Sequence, residues 1–267
     1  MYSGTTFRRH SGWMLGVHQR IDRVARRHLT KLLPATAQFP SNKLILHFEG
    51  NNGPDGIKRK SPSVDEPWHF INPRDPSDRQ LIRIINDHYN NLVMALQQRN
   101  EERSAFEAAW LSHAIVDGLT PAHHYPLSDK IMELWGKPHH ERSSVKDKNI
   151  IKGTTRRDTI SKNWQYWGGG GIFSRHLFFE SGVAMSIAGY RFNNIGINKH
   201  EVTTTYDIEK LFLDSLRTID QLGMYDEFGK TGWTQHLANE TRKVLLPVII
   251  KTVCLAWYSA VNEATKK

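Results

Sequence analysis

The stretch AWLSHAIVDGLTPAHHYP, residues 109–126, decides how the chain is read. Its first half carries apolar residues at helical spacing, and Pro121 stops that helix. His113 and Asp117 stand four positions apart, so they share one face of it. Just past the proline come His123 and His124. A helix this apolar belongs in a core. Its polar groups are either satisfied there or form the floor of a metal site.

Working outward, the same helical spacing recurs. MLGVHQRIDRVARRHLTKLL, residues 14–33, repeats apolar positions every three or four residues with arginines between them. Further helices are predicted over roughly 78–98, 103–117, 128–136, 174–190, 206–222 and 235–264. Turn chemistry separates them in EGNNGPDG, INPRDPSD, GLTPAHHYP and WGGGG. Strand-like alternation is short and rare. The fold class is therefore all-α, one multi-helix domain over 1–267, with the metal site between helices. Residues 1–12 read as a flexible extension and 137–170 as a loop-rich insertion.

Composition narrows the chemistry. Fourteen histidines against a single cysteine, Cys254, exclude a disulfide framework and thiolate zinc sites, and point to nitrogen and oxygen ligands. The net charge of +9 favours anionic partners: phosphodiesters, nucleic acid or an acidic membrane surface. VLLPVIIKTVCLAWYSAV, residues 244–261, is the most apolar run, but Pro247 and Lys251 make it a buried helix and not a membrane span. No secretory signal is visible at the N-terminus, which gives a cytoplasmic default.

Histidine followed four residues later by an acid occurs at His18/Asp22, His113/Asp117, His176/Glu180 and His236/Glu240, where chance gives roughly one or two cases. Each residue alone has an ordinary alternative. His69 fits an aromatic cluster, Asp55 a turn, Glu180 an ion pair with Arg175 or Arg191, and His236/Glu240 a solvated face. The ordered set is what points to metal. His113, Asp117 and His123 form H-x3-D-x5-H, and Asp55 precedes His69 by fourteen residues, in NGPDG and EPWHFINP. His176 and Glu180 follow as a second helix-borne pair in SRHLFFESGVA. Spacing favours His123 over His124 as the ligand. His139 and His140 read as solvated loop residues.

This succession resembles the zinc-dependent phospholipases C and the related single-strand-specific zinc nucleases, over roughly residues 13–190. The resemblance implies an all-α protein with two or three zinc ions. It implies one ion on Asp55, His69, His113 and Asp117, and a second on His123, His176 and Glu180. A third would lie on Asp117, His18 and the backbone of Trp13, in WMLGVH. Trp13 is internal as written, and an amide nitrogen is a poor ligand. Either the chain is cut after Gly12, or Asp22 completes that site, or the third ion is weak. The implied reaction is hydrolysis of a phosphodiester by metal-activated water, with Asp55 orienting or deprotonating it. The implied substrate is a phospholipid or other phosphodiester, with single-stranded nucleic acid as the alternative, and the implied location is outside the cytoplasm. Peripheral membrane contact goes with the lipid branch. A non-catalytic basic helical binder of anionic surfaces, without metal, is the rival class.

Overall fold

The computed structural model describes residues 16–60, 69–124, 127–137, 141, 144–197, 202 and 205–266. Among them the chain is all-α, with no β-strand. The N-terminal extension, Trp13, His139 and His140 lie outside the described residues.

The helices are α1 (Val17–Leu32), α2 (Asn42–His47), α3 (Pro54–Lys60), α4 (Gln80–Gln97) and α5 (Glu101–Gly118). After a short 3-10 turn at Pro121–His123 come α6 (Leu127–Trp135), α7 (Val145–Asn149), α8 (Arg156–Trp167) and α9 (Ile172–Ile187). The C-terminal part holds α10 (Ile208–Asp220), α11 (Met224–Thr231), α12 (Gln235–Glu240) and α13 (Leu246–Thr265). The helices α1, α4, α5, α9, α10 and α13 share one continuous hydrophobic core, which α2, α11 and α12 also join.

The central helix is α5. Asn100 caps it by accepting from the Arg103 N–H, and Glu101 and Glu102 complement the positive end of its dipole. Ala105, Ala108 and Ala109 are fully buried. Such small side chains let α4 and α13 close in on α5, which also meets α1 and α2. The indole of Trp257, itself fully buried on α13, donates to the Ala108 carbonyl at 3.0 Å and ties the two helices together. The helical run Gln235–Thr265 is long and apolar enough to cross a membrane: an 18-residue stretch of it has mean hydropathy 1.9, but 72% of that stretch is buried inside the fold. It is interrupted by a π turn at Thr241–Leu245, just ahead of Pro247, which has no N–H to give to the helix ladder.

The last residue of α5, directly after Asp117, has to be glycine. A Cβ on Gly118 would stand 2.6 Å from Leu81 Cδ2 and 2.7 Å from Phe212 Cζ. Both partners are fully buried and have nowhere to go. Gly118→Ala is expected to destabilise the protein by about 1–3 kcal/mol despite alanine's better helix propensity. Denaturant unfolding checks this, and an unchanged midpoint would contradict it.

Two readings of the sequence need correction. The segment 137–170 is not simply a loop: α7 and α8 lie in it, and α8 is a twelve-residue helix capped by Thr155. Asp55 is not on a turn. It sits in the first turn of α3, which begins at Pro54, a residue preset for a helix start.

Candidate metal centre

Among the described residues, three groups of histidines and carboxylates, buried apart from the half-buried Asp55, converge where α1, α3, α5, α9 and the 121–123 turn meet. They are His18 with His113 and Asp117; Asp55 with His69 and His113; and His123 with His176 and Glu180. Within each group the ligand atoms lie within 4.8 Å of one another. The first two groups share His113.

Asp117 is the hub. It is only 2% exposed. Its Oδ2 lies 2.5 Å from His69 Nδ1 and 3.1 Å from His113 Nε2. Its Oδ1 lies 3.2 Å from His18 Nε2 and 3.8 Å from His123 Nδ1. Four imidazoles thus surround one carboxylate. Asp55 Oδ1 stands 3.9 Å from His113 Nε2. In the other group Glu180 Oε1 lies 3.2 Å from His123 Nε2 and 3.0 Å from His176 Nε2. The His123 and His176 rings are 4.8 Å apart.

Local structure explains the aim of each group. The α5 helix brings His113 and Asp117 to one face a turn apart, and α9 does the same for His176 and Glu180. The 3-10 turn after Pro121 folds the chain back, so His123 returns beside Glu180 while Phe70 stacks on its ring. His123 Nδ1 donates to the His69 carbonyl at 2.8 Å, which fixes the tautomer and leaves Nε2 facing Glu180. His124 points elsewhere, with Nε2 donating to the Gly118 carbonyl at 2.9 Å. It lines a cavity of about 340 Å³ together with Pro121, Arg74 and Tyr225, and none of the three groups lines that cavity.

Sequence spacing gave no sign of Glu49. It is fully buried, just before the turn at Gly50–Asn52. Its Oε1 accepts from His113 Nδ1 at 2.7 Å and lies 3.6 Å from His18 Nδ1. The His18 and His113 rings stack with centroids 4.3 Å apart. Glu49 therefore backs two imidazoles at once and turns His113 Nε2 toward Asp117 and Asp55. Asp22, weighed as a stand-in for Trp13, joins none of the three groups: it accepts from Ser112 Oγ.

Electrostatics follows this arrangement. Burial opposes ionisation of Asp117, yet the surrounding positive charge, that of the His123, His113 and His18 imidazoles included, holds its carboxyl well below the usual range. Glu180 is likewise buried and held low by surrounding positive charge, His176 and His123 included. Asp55 is lowered despite burial, with His113 the leading cause. Burial pushes His69 and His123 down to about 4, so both are neutral. His113 goes the other way: against the effect of burial, Glu49 and Asp117 raise it well above the ordinary imidazole range. A metal ion binding there would have to displace that proton. Asp22 is raised well above the carboxylate range by burial and by Glu49.

These residues could hold a metal ion. Neutral imidazoles and ionised carboxylates are the donor forms it needs. Zinc–ligand bonds of about 2.0–2.1 Å in a tetrahedron place neighbouring donors roughly 3.3 Å apart. The separations of 3.0–3.2 Å between Glu180 and its two histidines, and of 3.1 and 3.2 Å from Asp117 to His113 and His18, are close to that edge, whereas His69 stands at hydrogen-bond distance from Asp117, 2.5 Å, and Asp55 stands wider from His113, at 3.9 Å. His18 Nε2, His69 Nε2, His113 Nε2 and His176 Nδ1 are buried without a hydrogen-bond partner. Buried polar atoms are seldom left so, and an ion accounts for those that face the carboxylates. By contrast Glu107, also fully buried on α5, is met by His88 Nδ1 at 2.6 Å and Arg103 at 2.5 Å and has the look of an ordinary internal ion pair.

A further group, Glu227, His236 and Glu240, lies at the surface. His236 is largely exposed and already paired with Glu227 at 3.2 Å, as the solvated-face reading of His236/Glu240 expects.

No family model, curated protein or solved structure matches this chain.

Proposed function

We propose that the chain is a zinc-dependent phosphodiester hydrolase whose site is of the phospholipase C and single-strand nuclease kind. One observation carries the reading. Eight residues anticipated as side-chain ligands, spread from His18 to Glu180, meet in three groups, buried apart from Asp55, that are joined through His113 and Asp117.

Asp55, His69, His113 and Asp117 would hold one ion, and His123, His176 and Glu180 a second. His18 with Asp117 would serve a third. Zinc bound in these places supplies Lewis acidity and lowers the pKa of water to near neutrality. The chain's own groups do the rest. Asp55 keeps 25% of its side chain exposed, against 2% for Asp117 and 10% for Glu180, so of these carboxylates it best suits a group that receives a proton from water arriving from solvent. The His69 carbonyl and Glu49 hold His123 and His113 in the tautomers that face the site. The net charge of +9 favours an anionic diester.

The test is a parallel assay of the zinc-loaded chain on phosphatidylcholine, on a soluble bis-aryl phosphodiester and on single-stranded DNA. At least one is hydrolysed, a chelator abolishes the activity, and added zinc restores it. Failure on all three by a chain that holds its zinc, or turnover indifferent to the chelator, would overturn the hydrolase reading. A chain that takes up no zinc would favour the non-catalytic binder.

A further inference from the structure

We infer that the outer face of α8 is a docking surface for an anionic lipid bilayer. In the sequence RRDTISKNWQYW, residues Arg156, Arg157, Ile160, Trp164 and Trp167 fall on one face of a helix, three or four positions apart. Ile160 is 70% exposed and Trp164 73%, and Trp167 is 43% exposed. The opposite side anchors the helix. Tyr166 is buried there, and at the edge of the stripe, one turn before Trp167, the Asn163 amide donates to the Ile151 carbonyl at 2.8 Å while its oxygen accepts from the Ile151 N–H at 3.2 Å. A helix with a packed inner side and an apolar stripe turned to water has its outer face unpartnered. On α9, which packs against α8, Leu177, Phe178 and Met185 are exposed as well.

Charge selects the occupant. Arg156 and Arg157 are exposed on the first turn of the same face. The one acid of the helix, Asp158, is turned to the Thr154 N–H at 2.7 Å and to Lys162 at 3.6 Å. Two arginines leading into an isoleucine–tryptophan stripe suit the headgroup layer, where cations meet anionic lipid and aromatic rings sit at the boundary. Single-stranded nucleic acid would need open ring faces. Trp164 on α8 and Phe178 on α9 are exposed rings, but the Trp167 ring is already in contact with Tyr166 at 4.9 Å and Phe173 at 4.8 Å, and Ile160, Leu177 and Met185 have no ring on which a base can stack, so much of the face is aliphatic.

The face also leads to the metal centre. Trp167 touches Phe173, whose ring stacks toward His176 with centroids 6.4 Å apart. A docked bilayer would bring phosphodiester headgroups toward Glu180 and His176. That last step rests on the proposed hydrolase; the docking does not.

Flotation of the zinc-loaded full chain with vesicles tests the inference, using phosphatidylcholine with phosphatidylglycerol in one arm and phosphatidylcholine alone in the other. Binding is expected to be stronger with the anionic lipid and to weaken with salt. The double variant Ile160→Ser with Trp164→Ser is expected to lower partitioning by about tenfold. Arg156→Gln with Arg157→Gln is expected to lower it by about fivefold per cation on the anionic vesicles. Both sets lie on the surface, so zinc content and thermal unfolding should stay as in the parent. Partitioning unaffected by either set overturns the inference. So does a concentration-dependent dimer dissolved by the serine pair, or single-stranded DNA binding that those variants weaken in place of vesicle binding. Zinc-dependent turnover without vesicle binding sinks the docking alone, and vesicle binding by a chain that takes no zinc sinks the hydrolase alone.

Discussion

Asp117→Asn is expected to leave the helices in place, to cost at least one zinc ion, and to lower phosphodiesterase activity by about 100-fold or more. The amide is nearly isosteric with the carboxylate, so α5 keeps its packing against α4 and α13. What goes is the charge at the point where His18, His69, His113 and His123 converge. An amide oxygen is a weaker zinc donor, and the amide nitrogen cannot donate to a metal at all. The outcome separates two accounts of the same geometry. If Asp117 were only the counter-ion of buried histidines, the substitution would destabilise the protein by about 3–5 kcal/mol without touching its metal content. If it is a shared ligand, zinc and activity fall together. Metal analysis and kinetics on one preparation decide between them, and a variant with full zinc and full activity contradicts the shared-ligand account.

Glu49→Gln comes next in size, with zinc affinity expected to drop by about 10–100-fold. Glu49 reaches no ion itself in this reading. It receives the Nδ1–H of His113 and so keeps Nε2 free to face Asp55 and Asp117. The amide has the same shape but no charge, and its nitrogen competes for the position of the accepting oxygen. The imidazole then loses both the partner that fixes its tautomer and the negative charge that makes it a stronger donor. Competitive titration with a zinc indicator measures the loss. Glu49→Asp, which keeps the charge on a shorter arm, should recover part of it. Equal affinity in parent and Gln variant would show that Glu49 only fills space.

The sequence announced most of this molecule where its signals were local. Apolar spacing marked α4, α5, α9 and α10 to within a few residues: α4 and α10 bury one stripe against the core, and α5 is buried over most of its surface. Helix periodicity alone put His113 with Asp117 and His176 with Glu180, and the spacing across Pro121 chose His123 over its neighbour. What escaped was non-local or turned outward. Glu49 follows the apolar run LILHF, yet it lies sixty-four residues from His113, and no periodicity connects the two. The α8 helix was taken for loop because its stripe is short and set among polar and basic residues, and its apolar side faces water. Asp55 was read from the turn residues around it, when Pro54 was the better guide to a helix start. Asp22 was offered as a ligand by its position one turn after His18, but on α1 that position turns toward Ser112.

The central claim is that these buried histidines and carboxylates hold metal, and crystallography of the zinc-loaded chain with anomalous data at the zinc edge tests it most directly. The account predicts one peak within about 2.0–2.2 Å of ligand atoms from His123, His176 and Glu180, and another at the same distances from His69, His113 and Asp117. Well-ordered side chains at both positions with no anomalous peak between them would contradict it.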